Sequence, residues 1–542
     1  MNLCDAIFTS DRVDRVAVLY EARQITYGNL HYEIQQFVNA LQELKIGTGE
    51  RVAILLNDSP EFIISFVSIC SIGAIAVPIN MALRLEDQQL ILGDCTAKAV
   101  IVEANLCNSL LTSALDRVRH VQILIVAERN EAESGSTIEA KMTLSKREEP
   151  VSIYPLRELL SKVERQAAPH LPTLTEDQPA FILYTSGSTG EPKGAVHRIS
   201  DLFYTNETFC RQVLKLKQGD RLFSSSRLPF AYGLGNSFTF PLLNGFSTIF
   251  CREKPTAEVI ARIFPEFNPT VFFAVPVVYT FLLDYHNRCE ALDCSSLRLC
   301  VSAGEALPAR LGQDWEKTFG IAILDGIGST EMLHMWMSNH DGDVRYGSSG
   351  KLLSGYEARL LDAEGKETPP SQEGNLWVRG ASAALGYWQQ PEATARTFVD
   401  GWVRTGDLYR CDKDGYWYHL GRSDDCFKSS GQWVSPVEVE DVLMRHPGVS
   451  RAAVVEDFDE NGLPCACAFV VKPGLESEFA TLEAELKELC RQTLPRHKQP
   501  RRYLFVAELP YTATGKIQRF KLRQQLRQSP KSKVESPKSA AS

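Results

Sequence analysis

An α/β fold with mostly parallel strands is what this sequence predicts, and three observations carry the prediction. Short β-branched runs at 52–56, 99–102 and 122–126 alternate with helical stretches, the pattern of strands joined by crossover helices. The chain, at 542 residues, is too long for a single hydrophobic core, so two or more domains are expected. Residues 62–83 carry no charge and by length alone would qualify as a membrane span. Ser65, Ser68, Ser71, Gly73, Pro78 and Asn80 instead divide the stretch into a buried helix ending near Ser71 and a short strand at 74–77, as in a helix feeding a parallel sheet.

The remaining segments follow in chain order. Residues 1–14 mix acids with bases and lack an apolar signal core, so secretion is not indicated. Residues 128–150, rich in Glu, Lys, Ser and Thr, read as a mobile surface insertion. The aromatic run 416–421 reads as a strand; a charged Gly-Arg-Ser-Asp-Asp turn follows, and after Pro436 an amphipathic helix begins with Val437, Val439 and Val442 among acids. A domain boundary fits there. Residues 529–542 hold Ser, Pro, Lys and Ala with almost nothing apolar and are expected to be disordered. A net charge of −9 and a pI near 5.7 argue against a nucleic-acid surface. The 14 cysteines are scattered and form no C-x-x-C pair, so they read as reduced, mostly buried thiols of a cytoplasmic protein rather than as a zinc site.

The most informative stretch is 184–194, Y-T-S-G-S-T-G-E-P-K-G, directly after the apolar run 180–183. A buried strand there ends in an open polar loop that suits polyphosphate. Gly187, Gly190 and Gly194 let the backbone approach an anion, Thr185, Ser186, Ser188 and Thr189 supply hydroxyls, and Lys193 supplies a point charge. Lys193 is followed by Gly194 rather than Ser or Thr, so the spacing is not that of a Walker loop. A flexible Gly/Ser surface turn is the plainer reading of such loops, but the density of hydroxyls before Pro-Lys-Gly disfavours it.

This loop resembles the phosphate-binding signature of the acyl-adenylate-forming superfamily, which includes acyl-CoA and aryl-CoA ligases, peptide-synthetase adenylation domains and firefly luciferase. Further motifs follow in the family's order: Gly326-Ile327-Gly328-Ser329-Thr330-Glu331, Tyr387-Trp388, Trp402-Val403-Arg404-Thr405-Gly406-Asp407, Gly421-Arg422-Ser423-Asp424-Asp425 and Thr514-Gly515-Lys516-Ile517-Gln518-Arg519. The resemblance covers about residues 20–525. It implies a large N-terminal domain of mixed sheets flanked by helices (1–423), a small mobile α+β C-terminal domain (424–528) with Asp424 as hinge, and a tail (529–542). It further implies that Lys516 bridges carboxylate and α-phosphate oxygens, that Thr330 donates to the α-phosphate, and that Glu331 helps hold Mg²⁺, a hard ligand for a hard ion. Asp407 is expected on the ribose hydroxyls with Arg422 beside them. Gly304 and Glu305 would form one side of the adenine slot, and Asp325, Gly326 and Ile327 the other. Many relatives carry an aromatic ring where Ile327 stands, so aliphatic contact replaces stacking and a modest loss of ATP affinity is expected.

The acid to be activated is read from Phe230-Ala231-Tyr232-Gly233-Leu234-Gly235-Asn236. Relatives that activate amino acids carry an Asp after the matching Phe; Ala231 stands there, which disfavours a free α-amino acid. This stretch and 325–334 resemble benzoate-CoA and anthranilate-CoA ligases, implying an aryl pocket of Phe230, Ala231, Tyr232, Gly233, Ala303, Gly328, His334 and Met335. If a helix follows Thr330, His334 lies on the face of Glu331, where it would accept from an ortho amino or hydroxyl group or merely satisfy a backbone carbonyl. For thioester formation, Lys428, Ser430, Gly431, Gln432 and Trp433 match the loop lining the CoA tunnel, whereas Tyr511 replaces an Arg or Lys of many relatives and puts a CoA-phosphate contact there in doubt. The expected co-substrates are ATP with Mg²⁺ and CoA. A separate carrier protein as acceptor and a luciferase-like oxidative enzyme are the alternatives, while a non-catalytic binding protein would be expected to have lost Lys516 or Glu331.

Overall fold

The computed structural model describes residues 2–109, 118–128, 151–161, 169, 171–186, 192–288, 292–369, 371–429, 432–459, 462–471, 479–511 and 517–528. The surface insertion expected at 128–150, save Glu128, and the tail at 529–542 lie outside them.

The uncharged stretch divides as its sequence predicts. Its helix is Pro60–Ser71, with every residue but Glu61 buried, and its strand is Ile75–Pro78. Pro60 opens the helix where its missing N–H costs nothing. Gly73, at φ 74°, closes it in the left-handed conformation that a Cβ would penalise. Among the described residues no helix is long and apolar enough to cross a membrane.

Two large sheets take up the first part of the chain. One has seven strands in the order Ser152–Pro155, Ile123–Ala127, Ala99–Glu103, Arg51–Leu55, Ile75–Pro78, Phe181–Ser186 and Pro192–His197. The other has nine, in the order Lys351–Leu352, Met335–Ser338, Ile323–Gly328, Leu299–Ser302, Val271–Ala274, Arg221–Ser224, Ser247–Phe250, Val16–Tyr20 and Arg23–Thr26. The expected strands pair in parallel, Val52 opposite Ala99 and Ala99 opposite Ile123. Antiparallel pairing is confined to the edges, at Phe181–Ser186 with Pro192–His197, Val16–Tyr20 with Arg23–Thr26, and from Ile323–Gly328 outward.

Between the sheets lies a helical layer that includes Tyr27–Glu43 and Pro60–Ser71. One apolar cluster joins Val18 and Phe250 of the larger sheet, Ile54 and Phe181 of the smaller, and Phe37, Phe66 and Phe238 between them. The Phe66 ring lies 5.4 Å from both Phe181 and Phe238.

A third, antiparallel sheet pairs Glu357–Leu361, Glu373–Arg379, Phe398–Val399 and Trp417–Arg422 around the long strand Trp402–Cys411. The chain then builds a smaller unit from the hairpin Phe427–Ser429 with Gln432–Val434 and a sheet of Arg451–Phe458, Pro464–Val471 and Arg502–Val506. Strand alternation separates its two faces. Ala452 and Val454 meet helices Pro436–Met444 and Phe479–Thr493, while Ala453 and Val455 meet Leu522 and Leu526 of helix Arg519–Gln528. Among the polar contacts that cross to the larger part, Arg310 Nη1 donates to Met444 O (3.3 Å) and Arg445 O (3.1 Å) at the end of a helix, and Arg451 Nη2 to Val277 O (3.3 Å).

Phe66→Ala removes a fully buried ring shared by both sheets and is expected to cost about 3–5 kcal/mol, read as a lowered midpoint of thermal unfolding.

Candidate active site

Most motif residues converge where the smaller sheet's last hairpin meets the turn after Ile323–Gly328. Thr185 pairs with Lys193 across that hairpin. Gly187, Ser188, Thr189 and Gly190 lie outside the described residues, as does the side chain of Ser186. Lys193 Nζ stands 5.4 Å from the centre of the Tyr387 ring, and the Tyr387 hydroxyl donates to Glu331 Oε1 at 2.7 Å. The phosphate-loop lysine and the candidate metal carboxylate are thus linked through Tyr387, a motif residue to which the sequence assigned no role. Backbone bonds fix the arrangement: Trp388 N to Gly194 O (2.7 Å), Val196 N to Gly386 O (3.0 Å) and Ala384 N to Glu331 O (2.8 Å).

The helix expected after Thr330 is absent. Residues 331–334 form a turn in which Leu333 N bonds Thr330 O, His334 N bonds Met332 O, and Leu333 takes φ 67°. That left-handed residue breaks helical continuation, so Glu331 and His334 face different neighbours. Glu331 meets Tyr387, whereas His334 is buried among Phe209 and Phe240, each with its ring centre at 4.7 Å, and Tyr232 at 5.6 Å.

His334 Nε2 lies 3.2 Å from Asn236 Oδ1, while its Nδ1 has no hydrogen-bond partner among the described residues. Burial pushes its pKa down to about 3 against a smaller upward pull from the Tyr232 backbone, so the ring is neutral. With Nε2–H donating to Asn236, Nδ1 is left as an acceptor. The sequence assigned Asn236 no role. It sits in the π-helical turn Gly235–Thr239, a local widening common at functional sites, and at Gly235 an added Cβ would meet His334 Cδ2 at 2.6 Å. Ala231, Tyr232 and Gly233 belong to the short helix Ala231–Leu234, with half-buried Phe230 at its N-cap. Gly233 is required there, because a Cβ would stand 2.0 Å from Arg227 O. The Tyr232 hydroxyl donates to Val301 O at 3.1 Å, and Tyr232, Ala303, Ile327 and Met335 share one apolar cluster. Gly328 lets the turn fold back, since its Cβ would be 2.6 Å from His334 O.

The expected adenine slot lies between two adjacent parallel strands whose ends pair Ser302 with Asp325. Gly304 takes φ 95°. Asp325 Oδ2 accepts from Leu307 N at 3.3 Å, Oδ1 has no partner among the described residues, and burial pushes its pKa well above the carboxylate range. Its unpartnered oxygen fits the polar edge of a heterocyclic base. Asp407 and Arg422 are cross-strand partners, with Arg422 Nη1 at 3.3 Å and His419 Nε2 at 3.5 Å from Asp407 Oδ1. His419 is a further neighbour that the sequence left unmarked. Among the described residues no group of three or more His, Cys, Asp or Glu is placed to hold a metal. A Mg²⁺ on Glu331 would therefore take most of its oxygens from phosphate and water, the usual habit of that ion.

Lys516 lies outside the described residues, but the next residue does not: Ile517 N donates to Glu305 Oε1 at 2.8 Å, beside the expected slot. Asp424 is exposed in the turn after Trp417–Arg422. Lys428 Nζ lies 5.1 Å from the ring of Trp433, which is exposed beside Gln432; Ser430 and Gly431 are outside the described residues. Tyr511, where relatives carry a base, accepts from Arg451 Nη1 at 2.9 Å.

Residues 8–388 match the model of the AMP-binding enzyme family and residues 438–516 that of the AMP-binding enzyme C-terminal domain. The chain is 39% identical to the benzoate-CoA ligase of Thauera aromatica, over 94% of this chain and 93% of the relative. It is 33% identical to the anthranilate-CoA ligase of Pseudomonas aeruginosa, over 96% of each. A crystal structure of the anthranilate CoA ligase AuaEII in complex with anthranoyl-AMP superposes with a TM-score of 0.86 at 36% identity, covering 97% of both chains.

The buried neutral histidine has a pH signature. Its pKa in the folded chain, about 3, lies below the ordinary 6.5, so the unfolded chain binds the proton first. The resulting stability is complete above about pH 6.5 and is lost as pH falls toward about 3. In His334→Phe the urea-unfolding free energy is expected to fall less steeply over that range than in the unsubstituted chain; equal slopes would show that the ring is not held neutral.

Proposed function

The chain belongs to the AMP-binding enzyme family, and from that premise we propose that it activates an aromatic carboxylic acid, of the benzoate or 2-aminobenzoate type, with ATP and passes the acyl group to CoA. The products are aryl-CoA, AMP and pyrophosphate. The observation that carries the choice of acid is the neutral His334 set among Phe209, Phe240 and Tyr232, with Nδ1 left as an unpartnered acceptor. An aromatic acid bearing an ortho N–H would satisfy that atom, and the absence of any acidic group at Ala231 removes the usual partner of an α-ammonium group. The unpartnered Nδ1 leans the reading to 2-aminobenzoate, while Ala231 argues only against a free α-amino acid.

A carboxylate is a poor electrophile until one oxygen becomes a leaving group. In the first half-reaction its oxygen attacks the α-phosphorus, the bond to the β-phosphate oxygen breaks, and pyrophosphate departs with the electron pair. Two anions meet in this step, so donors and cations must already be in place. Lys516 takes the α-phosphate and carboxylate oxygens, Thr330 donates to the same phosphate, and Thr185, Ser186, Ser188, Thr189 and Lys193 with Gly187 and Gly190 hold the departing end. Glu331 would hold Mg²⁺, which supplies charge neutralisation on the phosphates. Gly304, Glu305, Asp325, Gly326 and Ile327 hold the base, and Asp407 with Arg422 the ribose. In the second half-reaction the CoA thiolate attacks the acyl carbon and AMP leaves. The small domain, 424–528, turns about Asp424 and brings Lys428, Ser430, Gly431, Gln432 and Trp433 to the site. Unpaired cysteines throughout the described residues agree with a cytoplasmic setting.

The test offers benzoate, 2-aminobenzoate, salicylate, a cinnamate and a medium-chain fatty acid with ATP, Mg²⁺ and CoA, and identifies thioesters by mass spectrometry. Aryl-CoA is expected with 2-aminobenzoate preferred. Less than about tenfold preference over benzoate removes the ortho reading, since a site that hydrogen-bonds a substituent discriminates by more than that. Adenylate without thioester for every acid would move the acceptor from CoA to a carrier protein. In Lys516→Ala, adenylate formation is expected to collapse while thioester formation from supplied aryl-AMP survives; equal loss of both would overturn its role.

A further inference from the structure

Asp201 is fully buried, and its carboxylate binds two neighbours that lead to opposite sides of the turn carrying Thr330 and Glu331. Oδ2 lies 2.9 Å from His197 Nδ1 and accepts from Arg198 N at 3.1 Å, while Oδ1 accepts from Arg198 Nε at 2.9 Å. His197, also fully buried and stacked on Phe181 at 5.3 Å, reaches Thr330 O through Nε2 at 2.8 Å. Arg198 Nη2 donates to Ala381 O (3.1 Å) and Ala383 O (2.9 Å). That loop in turn supplies Ala384 N to Glu331 O at 2.8 Å and Ser382 Oγ to Met332 O at 2.9 Å. Three consecutive carbonyls of the turn are therefore held from outside it, and both routes begin at Asp201.

The plainer account is a capping box, for Asp201 and Arg198 also close the start of helix Ile199–Thr205. Capping explains the bond from Arg198 N, but not why the same carboxylate orients a buried imidazole whose other nitrogen ends on Thr330. The proton inventory makes the difference concrete. A carbonyl oxygen only accepts, so His197 Nε2 carries hydrogen toward Thr330; Asp201 Oδ2 stands 2.9 Å from Nδ1, a hydrogen-bond distance, so a hydrogen also lies between those two atoms. Removing the carboxylate's charge disturbs that proton and hence the donor on Thr330.

We propose that Asp201 is a positioning residue for adenylate formation: through His197 and Arg198 it fixes, from both sides, the turn that presents Thr330 and Glu331 to the nucleotide phosphates. The inference rests on the reading of those two residues given above. It weights the turn toward the first half-reaction, because the phosphates that Glu331 serves depart there as pyrophosphate, whereas the α-phosphate on Thr330 stays in the adenylate until AMP leaves.

Asp201→Asn, Arg198→Gln, His197→Gln and His197→Ala are compared in two assays, pyrophosphate release from aryl acid and ATP, and thioester formation from supplied aryl-AMP and CoA. Asp201→Asn is expected to lower kcat for pyrophosphate release on the order of tenfold or more, with KM for the aryl acid within about twofold and a clearly smaller loss in the rate from supplied aryl-AMP. His197→Gln, whose amide N–H can still reach Thr330 O, should retain more activity than His197→Ala. Equal loss in both assays, or no loss in either, overturns the proposal. Should Asp201→Asn fail to fold by its thermal transition, Arg198→Gln decides on the same criteria, since that side chain reaches the surface at 19% exposure. Glu331→Gln run alongside separates the two readings. If it leaves pyrophosphate release intact, the assignment of the turn falls; if it abolishes release while Asp201→Asn does not, only the positioning role falls.

Discussion

The site depends on one constraint: residues 330–334 leave regular secondary structure in a largely buried place, and their carbonyls must find donors elsewhere. A helix would have satisfied those groups internally, but Leu333 at φ 67° forbids it. Leu333 N and His334 N serve Thr330 O and Met332 O within the turn, and further donors come from His197, Ala384 N and Ser382, on the end of one sheet and on the loop running past it. The bond from His197 to Thr330 ties the end of the seven-stranded sheet to the turn of the nine-stranded sheet, and losing such a bond between buried groups costs about 1–3 kcal/mol.

That turn also divides the site electrically. On one side stand Lys193, Glu331 and Tyr387, a polar end suited to phosphate oxygens. On the other stands a dry neighbourhood in which His334 is held neutral and Tyr232, Ala303 and Met335 pack together. Asp325, driven toward its neutral form by burial, keeps net charge away from the base. Charge is thus concentrated where the reaction develops it and excluded where an aromatic ring is to be recognised, and low dielectric strengthens each polar contact that remains.

Much of this was legible in the sequence, and what was not has a physical reason. The split of residues 62–83 into helix and strand followed from Gly73 and Pro78, whose backbone preferences are local. Lys193, Glu331, Asp407 and Arg422 were marked by motif order; the structure sets Lys193 and Glu331 against the same Tyr387 and Arg422 at 3.3 Å from Asp407. The turn at 331–334 was missed because a left-handed conformation at a leucine is imposed by packing and has no local signal, and with it the shared helical face of Glu331 and His334 was lost. His197 and Asp201 were left without a role, since the contact that distinguishes His197 lies 133 residues away. Asn236 was left without one for a similar reason, because only the widened turn of 235–239 aims it at His334.

The boundary between the two parts of the chain is governed by unequal attachments. The segment after Lys516 is anchored to the small unit by Arg519, whose Nη2 bonds Glu440 Oε1 and Oε2 at 2.9 and 2.8 Å, and by Arg523 to Asp425 at 3.0 Å. Glu440 is buried and its Oε1 also accepts from Val454 N at 2.6 Å, so breaking this anchor would strand a buried charge at a cost of about 3–5 kcal/mol. Toward the larger part, the same segment holds on through Ile517 N to Glu305, supported by Arg310 and Arg451 on backbone carbonyls. These carbonyls and carboxylates regain water when they separate, so each such bond adds only about 1–3 kcal/mol of net resistance. The segment from Ile517 onward is therefore bound more firmly to the small unit than to the larger part.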